Sequence, residues 1–245
     1  KAARDGVLCA ELAKRGLTGP PEVIEGPNGF YQSHAGNADL NKLVSGLGEE
    51  YEIMNIYMKP YPACRHLHPF MDCVLKIKEK SNIVPEEIKL IKVGTYQVAF
   101  NHSHKTFNNL LETQMSIPCA VATTLYHHQI TLDAFAPETF KQNRVLQQLV
   151  EKVEVYIDEE CEKNYPNKRP AKVSINLNDG TIYSEKVDQP RGSNEIPLSD
   201  KEVEEKLLTY CSSVIGYKNC RKLIDRIWNI ENLSDISPIF MGGTD

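Results

Sequence analysis

No apolar run in this 245-residue chain approaches the roughly 20 residues that a membrane-crossing helix needs. No secretory leader is visible at its start. Basic residues are outnumbered, 28 against 33 acidic, and are scattered rather than gathered in a patch. The resulting net charge of −5 gives no footing for nucleic-acid binding. None of the seven cysteines (Cys9, Cys64, Cys73, Cys119, Cys161, Cys211 and Cys220) stands in a CxxC pair. Their odd number and wide spacing argue against a disulfide framework or structural zinc, and for reduced thiols in a cytoplasmic protein. There is no internal repeat and no low-complexity tract. The composition that is present, 41% hydrophobic and 25% charged, is that of a globular chain with material for one large domain or two smaller ones.

The pattern along the chain divides in three. Residues 1–16 read as a helix with an apolar face of Val7, Leu8, Ala10, Leu12 and Ala13, stopped by Gly16. Nothing precedes Lys1 to cap that helix and no initiator methionine is present, which predicts further sequence upstream. Leu40–Gly48 reads as a short helix. Tyr51–Met58 is rich in β-formers and predicts a strand, and Phe70–Lys80 has helical spacing. Ile88–Phe100 predicts a long strand with an irregularity, 101–113 a loop, and Ser116–His128 a buried helix. Ala136–Phe140 and Asn143–Glu151 predict further helices. Strands follow at Val153–Ile157, Ala171–Leu177 and Thr181–Ser184, the last two joined by the tight turn Asn178-Asp179-Gly180. Ser199 and Glu202 form a capping signature ahead of two helices, through Cys211 and over Lys218–Trp228. The fold class is therefore α+β: residues 1–50 and 196–245 as parts of a helical domain incomplete in this chain, and 51–195 as an inserted α+β block.

Chemistry concentrates in Lys59-Pro60-Tyr61-Pro62-Ala63-Cys64-Arg65-His66-Leu67-His68-Pro69. A lysine, a thiol, an arginine and two histidines lie within ten residues, with prolines at both ends. Such a set can bind an anionic small molecule and move protons on it. Lys59 precedes proline, so its backbone is biased to an extended form. It reads as an acid/base or carboxylate clamp, or as a solvated lysine at a strand end. His66 and His68 would share a face if extended and could bind a metal, but no third ligand stands nearby. His68 also suits a helix cap. Arg65 can pair bidentately with a carboxylate or sit in a surface ion pair. His102 and His104 form a second H-x-H in a polar loop, where solvated histidines are common. His127 and His128 read as structural, at a helix end.

Four ordered segments carry a resemblance. They are Ala2-Ala3-Arg4-Asp5-Gly6 with Leu12-Ala13-Lys14-Arg15-Gly16-Leu17-Thr18-Gly19-Pro20; Glu25-Gly26-Pro27-Asn28-Gly29-Phe30; the Lys59–His68 stretch; and Ser116-Ile117-Pro118-Cys119-Ala120-Val121-Ala122. Together they resemble the C-terminal half of MmgE/PrpD proteins, the 2-methylcitrate dehydratase family. The resemblance implies a large helical domain with a smaller α+β lid, assembled as a homodimer. It implies lyase or isomerase chemistry on small di- or tricarboxylic acids, with no metal or organic cofactor, and a place in propionate metabolism. It also implies that most of the helical domain, with further site residues, lies upstream of Lys1 or on a separate chain.

The resemblance makes Lys59 and His68 the expected acid/base pair. Arg65 is the expected carboxylate ligand, with Cys64, His66, Cys119 and His102 around the substrate. Cys64 stands where decarboxylating relatives have histidine, and Cys119 where relatives often have tyrosine. The expected reaction is dehydration of a tricarboxylic acid such as 2-methylcitrate by α-proton abstraction, under a lid that excludes water. Isomerisation or epimerisation, decarboxylation, and a non-catalytic fragment or subunit are the alternatives.

Overall fold

The computed structural model describes residues 1–35 and 39–240. The chain forms two compact units, 1–53 and 54–245. The first begins with α1 (Ala2–Lys14), whose last turn closes at Arg15 and Gly16. Asp5 in its first turn and Lys14 in its last suit the helix dipole. No residue of α1 is buried. Helix α2 spans Phe30–Ala35, and a 3-10 turn at Leu40–Leu43 stands where a short helix was expected. Asp39 caps that turn by accepting from the Asn41 N–H.

The second unit is built on one mixed sheet. The predicted strand over Tyr51–Met58 does not form: Glu52–Asn55 is a 3-10 turn and Ile56–Lys59 is irregular. Its β-rich composition lacks a ladder partner, and an isolated strand is not stable in water. One backbone bond remains, from the Met58 N–H to the Gly192 carbonyl (2.8 Å). Gly192 has φ +90°, and a Cβ there would run into the Met58 carbonyl, so only glycine lets the two segments meet.

Cys64 caps a 3-10 turn at Arg65–Leu67 that runs straight into α3 (His68–Lys80), with Pro69 in its first turn. Phe70, Met71, Cys73, Val74 and Ile77 are its buried face, one residue set wider than the spacing predicted. Strand β1 (Ile88–Thr95) carries the anticipated irregularity at Ile88/Leu90. It is shorter than expected because the chain turns into α4 (Gln97–Phe100). The expected loop over 101–113 contains the start of α5 (Leu110–Gln114), where the Asn109 side chain accepts from the Glu112 N–H. Helix α6 (Ile117–Tyr126) buries every residue from Ile117 to Leu125. Then come α7 (Pro137–Gln142), α8 (Arg144–Glu151) and β2 (Val153–Ile157).

An unpredicted helix, α9 (Glu159–Asn164), is capped by Asp158, which accepts from the Glu160 and Cys161 N–H groups. The capping signal was there, but six residues are too few to show a period. Strands β3 (Ala171–Leu177) and β4 (Ile182–Val187) form the predicted hairpin. The sheet order is β2-β1-β3-β4, with β1 and β2 parallel and the other pairs antiparallel. Ala171, Val173, Ile175 and Leu177 alternate inward, and α3 packs over β3 and β4 and against α6. Helices α10 (Asp200–Ile215) and α11 (Tyr217–Trp228) pack on each other, before a short α12 (Ser237–Phe240). Ser199 and Glu202 make the predicted reciprocal capping box. Residues 241–245, the end of the second expected helical part, lie outside the described residues.

Candidate functional site

The Lys59–Pro69 stretch leads through the 3-10 turn at Arg65–Leu67 into the first turn of α3. Gln114 holds it from α5: its side-chain amide donates to the Pro62 carbonyl (2.6 Å) and its own carbonyl accepts from the Cys64 N–H (2.9 Å). From α10, Lys206 donates to the Lys59 carbonyl (2.7 Å). Behind the loop, Tyr61 donates to the Asp72 carboxylate (2.7 Å). The same carboxylate accepts from the Arg191 N–H (2.8 Å). Asp72 is 7% exposed, and burial raises its pKa against these two bonds.

His68, expected as one of the acid/base pair, is completely buried at the first position of α3. Its Nε2 lies 3.3 Å from the Ala63 carbonyl and its Nδ1 2.8 Å from the Tyr57 hydroxyl. A carbonyl only accepts, so Nε2 carries the proton and Nδ1 accepts from Tyr57. Burial first, then the nearby charges of Lys59, Arg65 and Lys206, pulls the His68 pKa down to about 3. The imidazole is neutral with both nitrogens engaged. It orients the Tyr57 hydroxyl and presents neither a free lone pair nor a free N–H. Burial and Asp72 raise the Tyr57 pKa, so the phenol stays protonated.

Over the Tyr57 ring lies the Arg65 guanidinium, 4.2 Å from the centroid. The Arg65 Nε is buried and has no hydrogen-bond partner among the described residues. Burial lowers its pKa, followed by the charge of Arg169. His66 is half-buried, with Nδ1 2.7 Å from the Tyr96 hydroxyl. Tyr96 is completely buried and its O–H has no other partner among the described residues, so it donates to Nδ1 and leaves His66 an Nε2–H. Burial, then the charges of His102, Arg169 and Arg65, takes the His66 pKa down to about 4. A neutral imidazole donor beside cations can polarise a substrate oxygen without adding charge.

His102 stacks near His66, with centroids 5.9 Å apart, and burial lowers its pKa as well. Tyr165 stacks on Tyr96 at 4.2 Å and lies 6.3 Å from His66. Arg65, His66 and His102 are thus brought together. Lys59 has an exposed side chain near enough to act on His68. Cys64 is half-buried in the same loop. Cys119 is completely buried in the first turn of α6, its thiol 3.9 Å from the Thr106 carbonyl, and burial pushes its pKa up to about 11. It is therefore a thiol at neutral pH and belongs to the core. His104 bonds Thr106 instead of joining the group (3.0 Å).

Tyr57, Tyr96, Tyr165, Asp72 and Arg169 were not legible as site residues. Only Tyr57, two residues from Lys59, carried a positional signal. No cluster of three or more histidine, cysteine or acidic side chains suited to a metal occurs among the described residues.

An α+β domain thus offers arginine and neutral histidine donors from one proline-bounded loop, a set suited to an anion. The chain belongs to the MmgE/PrpD family: residues 61–230 match the MmgE/PrpD C-terminal domain. It is 24% identical over 256 residues to cis-aconitate decarboxylase of Aspergillus terreus, covering 97% of this chain and 52% of that protein. It is 24% identical over 254 residues to the cis-aconitate decarboxylase-like protein oryM of Aspergillus oryzae, with the same coverage, 97% and 52%. With Homo sapiens cis-aconitate decarboxylase the identity is 24% over 245 residues, 96% of this chain and 50% of that protein. The chain thus spans about half the length of the curated relatives it matches. No helix among the described residues is long and apolar enough to cross a membrane.

Proposed function

We propose that this chain supplies the C-terminal share of the active site of a lyase acting on a small tricarboxylic acid such as 2-methylcitrate. The observation that carries the reading is Arg65. It is a cation with an unpartnered buried Nε, seated on Tyr57 and beside the neutral donor His66. A substrate carboxylate satisfies that guanidinium. Lys59 takes the proton α to a carboxylate, and the cations around it stabilise the enolate-like charge that develops. The C–O bond then breaks, with the hydroxyl leaving as water on a proton given by an acid from the upstream half of the site. His68 acts through Tyr57 rather than on substrate. The α+β block of 51–195 is the lid domain that the resemblance implies, with 1–50 and 196–245 as parts of the helical domain. The assembly is a cytoplasmic homodimer, and no metal or cofactor is invoked.

A second reading, decarboxylation, is favoured by the relatives, whose names specify cis-aconitate decarboxylases over nearly the whole of this chain. The same cations would stabilise the carbanion left by carbon dioxide, and epimerisation would share the proton-abstraction step. Cys64 weighs against decarboxylation, because the family resemblance has histidine at that position in decarboxylating members. The test is turnover of 2-methylcitrate and cis-aconitate by the full-length protein, with products identified by NMR. Lys59→Met is expected to lower turnover of the preferred acid by about 100-fold or more, with unfolding unchanged. Unchanged turnover would remove Lys59 from the mechanism. No turnover of either acid would leave the non-catalytic reading.

A further inference from the structure

Arg169 lies between α9 and β3, in a loop that the resemblance does not touch. Tyr165, at the start of that loop, stacks its ring on Tyr96 and so pins the loop against the His66–Tyr96 pair. Pro170 and Ala171, at the other end, are buried where β3 begins. Arg169 is half-buried, and its Nε, like that of Arg65, is buried with no hydrogen-bond partner among the described residues. Neither arginine forms an ion pair with a described carboxylate. The charge of Arg169 acts on Arg65, His66, Tyr57 and Tyr96, so both guanidiniums lie near one group of rings.

Glu195, whose carboxylate accepts from the Gln189 amide, acts on Arg65 only through its charge and pairs with neither arginine. Two like charges with orphaned donors and no ion-paired acid favour the uptake of an anion. Arginine presents its donors as a planar fork matched to a carboxylate. The Nε2–H of neutral His66 adds a donor without adding repulsion. A single carboxylate satisfies one fork and leaves the other.

We propose that Arg65 and Arg169 form a two-carboxylate subsite, which makes Arg169 a specificity-determining residue for acids carrying two or more carboxylates. This rests on the lyase reading for its biological substrate, but not for binding itself. The two guanidiniums hold two carboxylates of one molecule, and His66 donates to an oxygen between them.

The experiment is calorimetric titration of the full-length protein with propane-1,2,3-tricarboxylate, which has neither hydroxyl nor double bond to react, and with propionate as the one-carboxylate control. Turnover is measured alongside. Wild type is expected to bind the tricarboxylate and to prefer it strongly over propionate. Arg169→Gln is expected to weaken the tricarboxylate by about 10- to 100-fold while leaving propionate within about threefold. Arg169→Lys keeps the charge without the fork and serves if the glutamine variant does not fold. It is expected to lose about 5-fold or more. Wild-type affinity in both variants, or no tricarboxylate binding by wild type, overturns the subsite. Binding that depends on Arg169 without turnover of any acid keeps the subsite and removes the lyase reading. Turnover with KM unchanged in Arg169→Gln does the reverse.

Discussion

The two sides of Tyr57 are built on opposite principles. On one side its hydroxyl meets His68, His68 meets Ala63, and Tyr61 and Arg191 meet Asp72, so every polar group in that buried set has a partner. On the other side its ring carries Arg65, next to Arg169, and both have buried donors with none. A satisfied buried network specifies geometry, whereas an unsatisfied one is the expected signature of a place where a ligand completes the hydrogen bonding. The closed side holds the loop in shape, and the open side is where binding is expected.

That contrast breaks most visibly at Asp72. Asp72→Ala leaves the Tyr61 hydroxyl and the Arg191 N–H unpaired in a buried place, and should cost about 3 kcal/mol or more in urea unfolding. A loss under about 1 kcal/mol would mean that the closed side does not hold the loop. Acid provides the next test. The folded pKa of His68, about 3, lies below the ordinary value of 6.5. Between those values the unfolded chain binds the extra proton, so this contribution is complete above about pH 6.5 and falls as pH drops toward 3. At pH 5 the loss should reach about 2 kcal/mol, and His68→Gln should remove that part of the pH dependence. Parallel stability curves for the two proteins would contradict it. The smallest effect expected is at the border itself. Tyr57→Phe strips the hydroxyl from His68 but keeps the ring under Arg65. It should lose about 1 kcal/mol of stability and leave tricarboxylate affinity within about twofold. A larger loss of affinity than of stability would erase the distinction between the sides.

Much of the architecture was readable along the chain. The Asn178-Asp179-Gly180 hairpin, the alternation of β3, the capping box at Ser199 and the unbroken burial of α6 all follow from short-range pattern. The failures have a common cause. Tyr51–Met58 has the composition of a strand but no neighbour to pair with beyond Gly192. Helix α9 is too short for periodicity to announce it. For the site, the cluster from Lys59 to His68 was visible because its members are adjacent in sequence. Arg169, about 100 residues further on, was not, because nothing in its own neighbourhood distinguishes it from any other arginine before a proline.

By itself, then, the sequence determined the α+β class, most of the helices and strands, and the loop in which reactive side chains gather, since these depend on spacing, caps and turn residues within a few positions of one another. Only the tertiary structure decided which of those side chains have their hydrogen bonds filled and which are left with unpaired donors. It buried His68 with both nitrogens occupied and put Cys119 in the core. It left the Nε groups of Arg65 and Arg169, near His66, without partners among the described residues. Burial and hydrogen-bond completion are properties of what packs from elsewhere in the chain, and no local pattern encodes them.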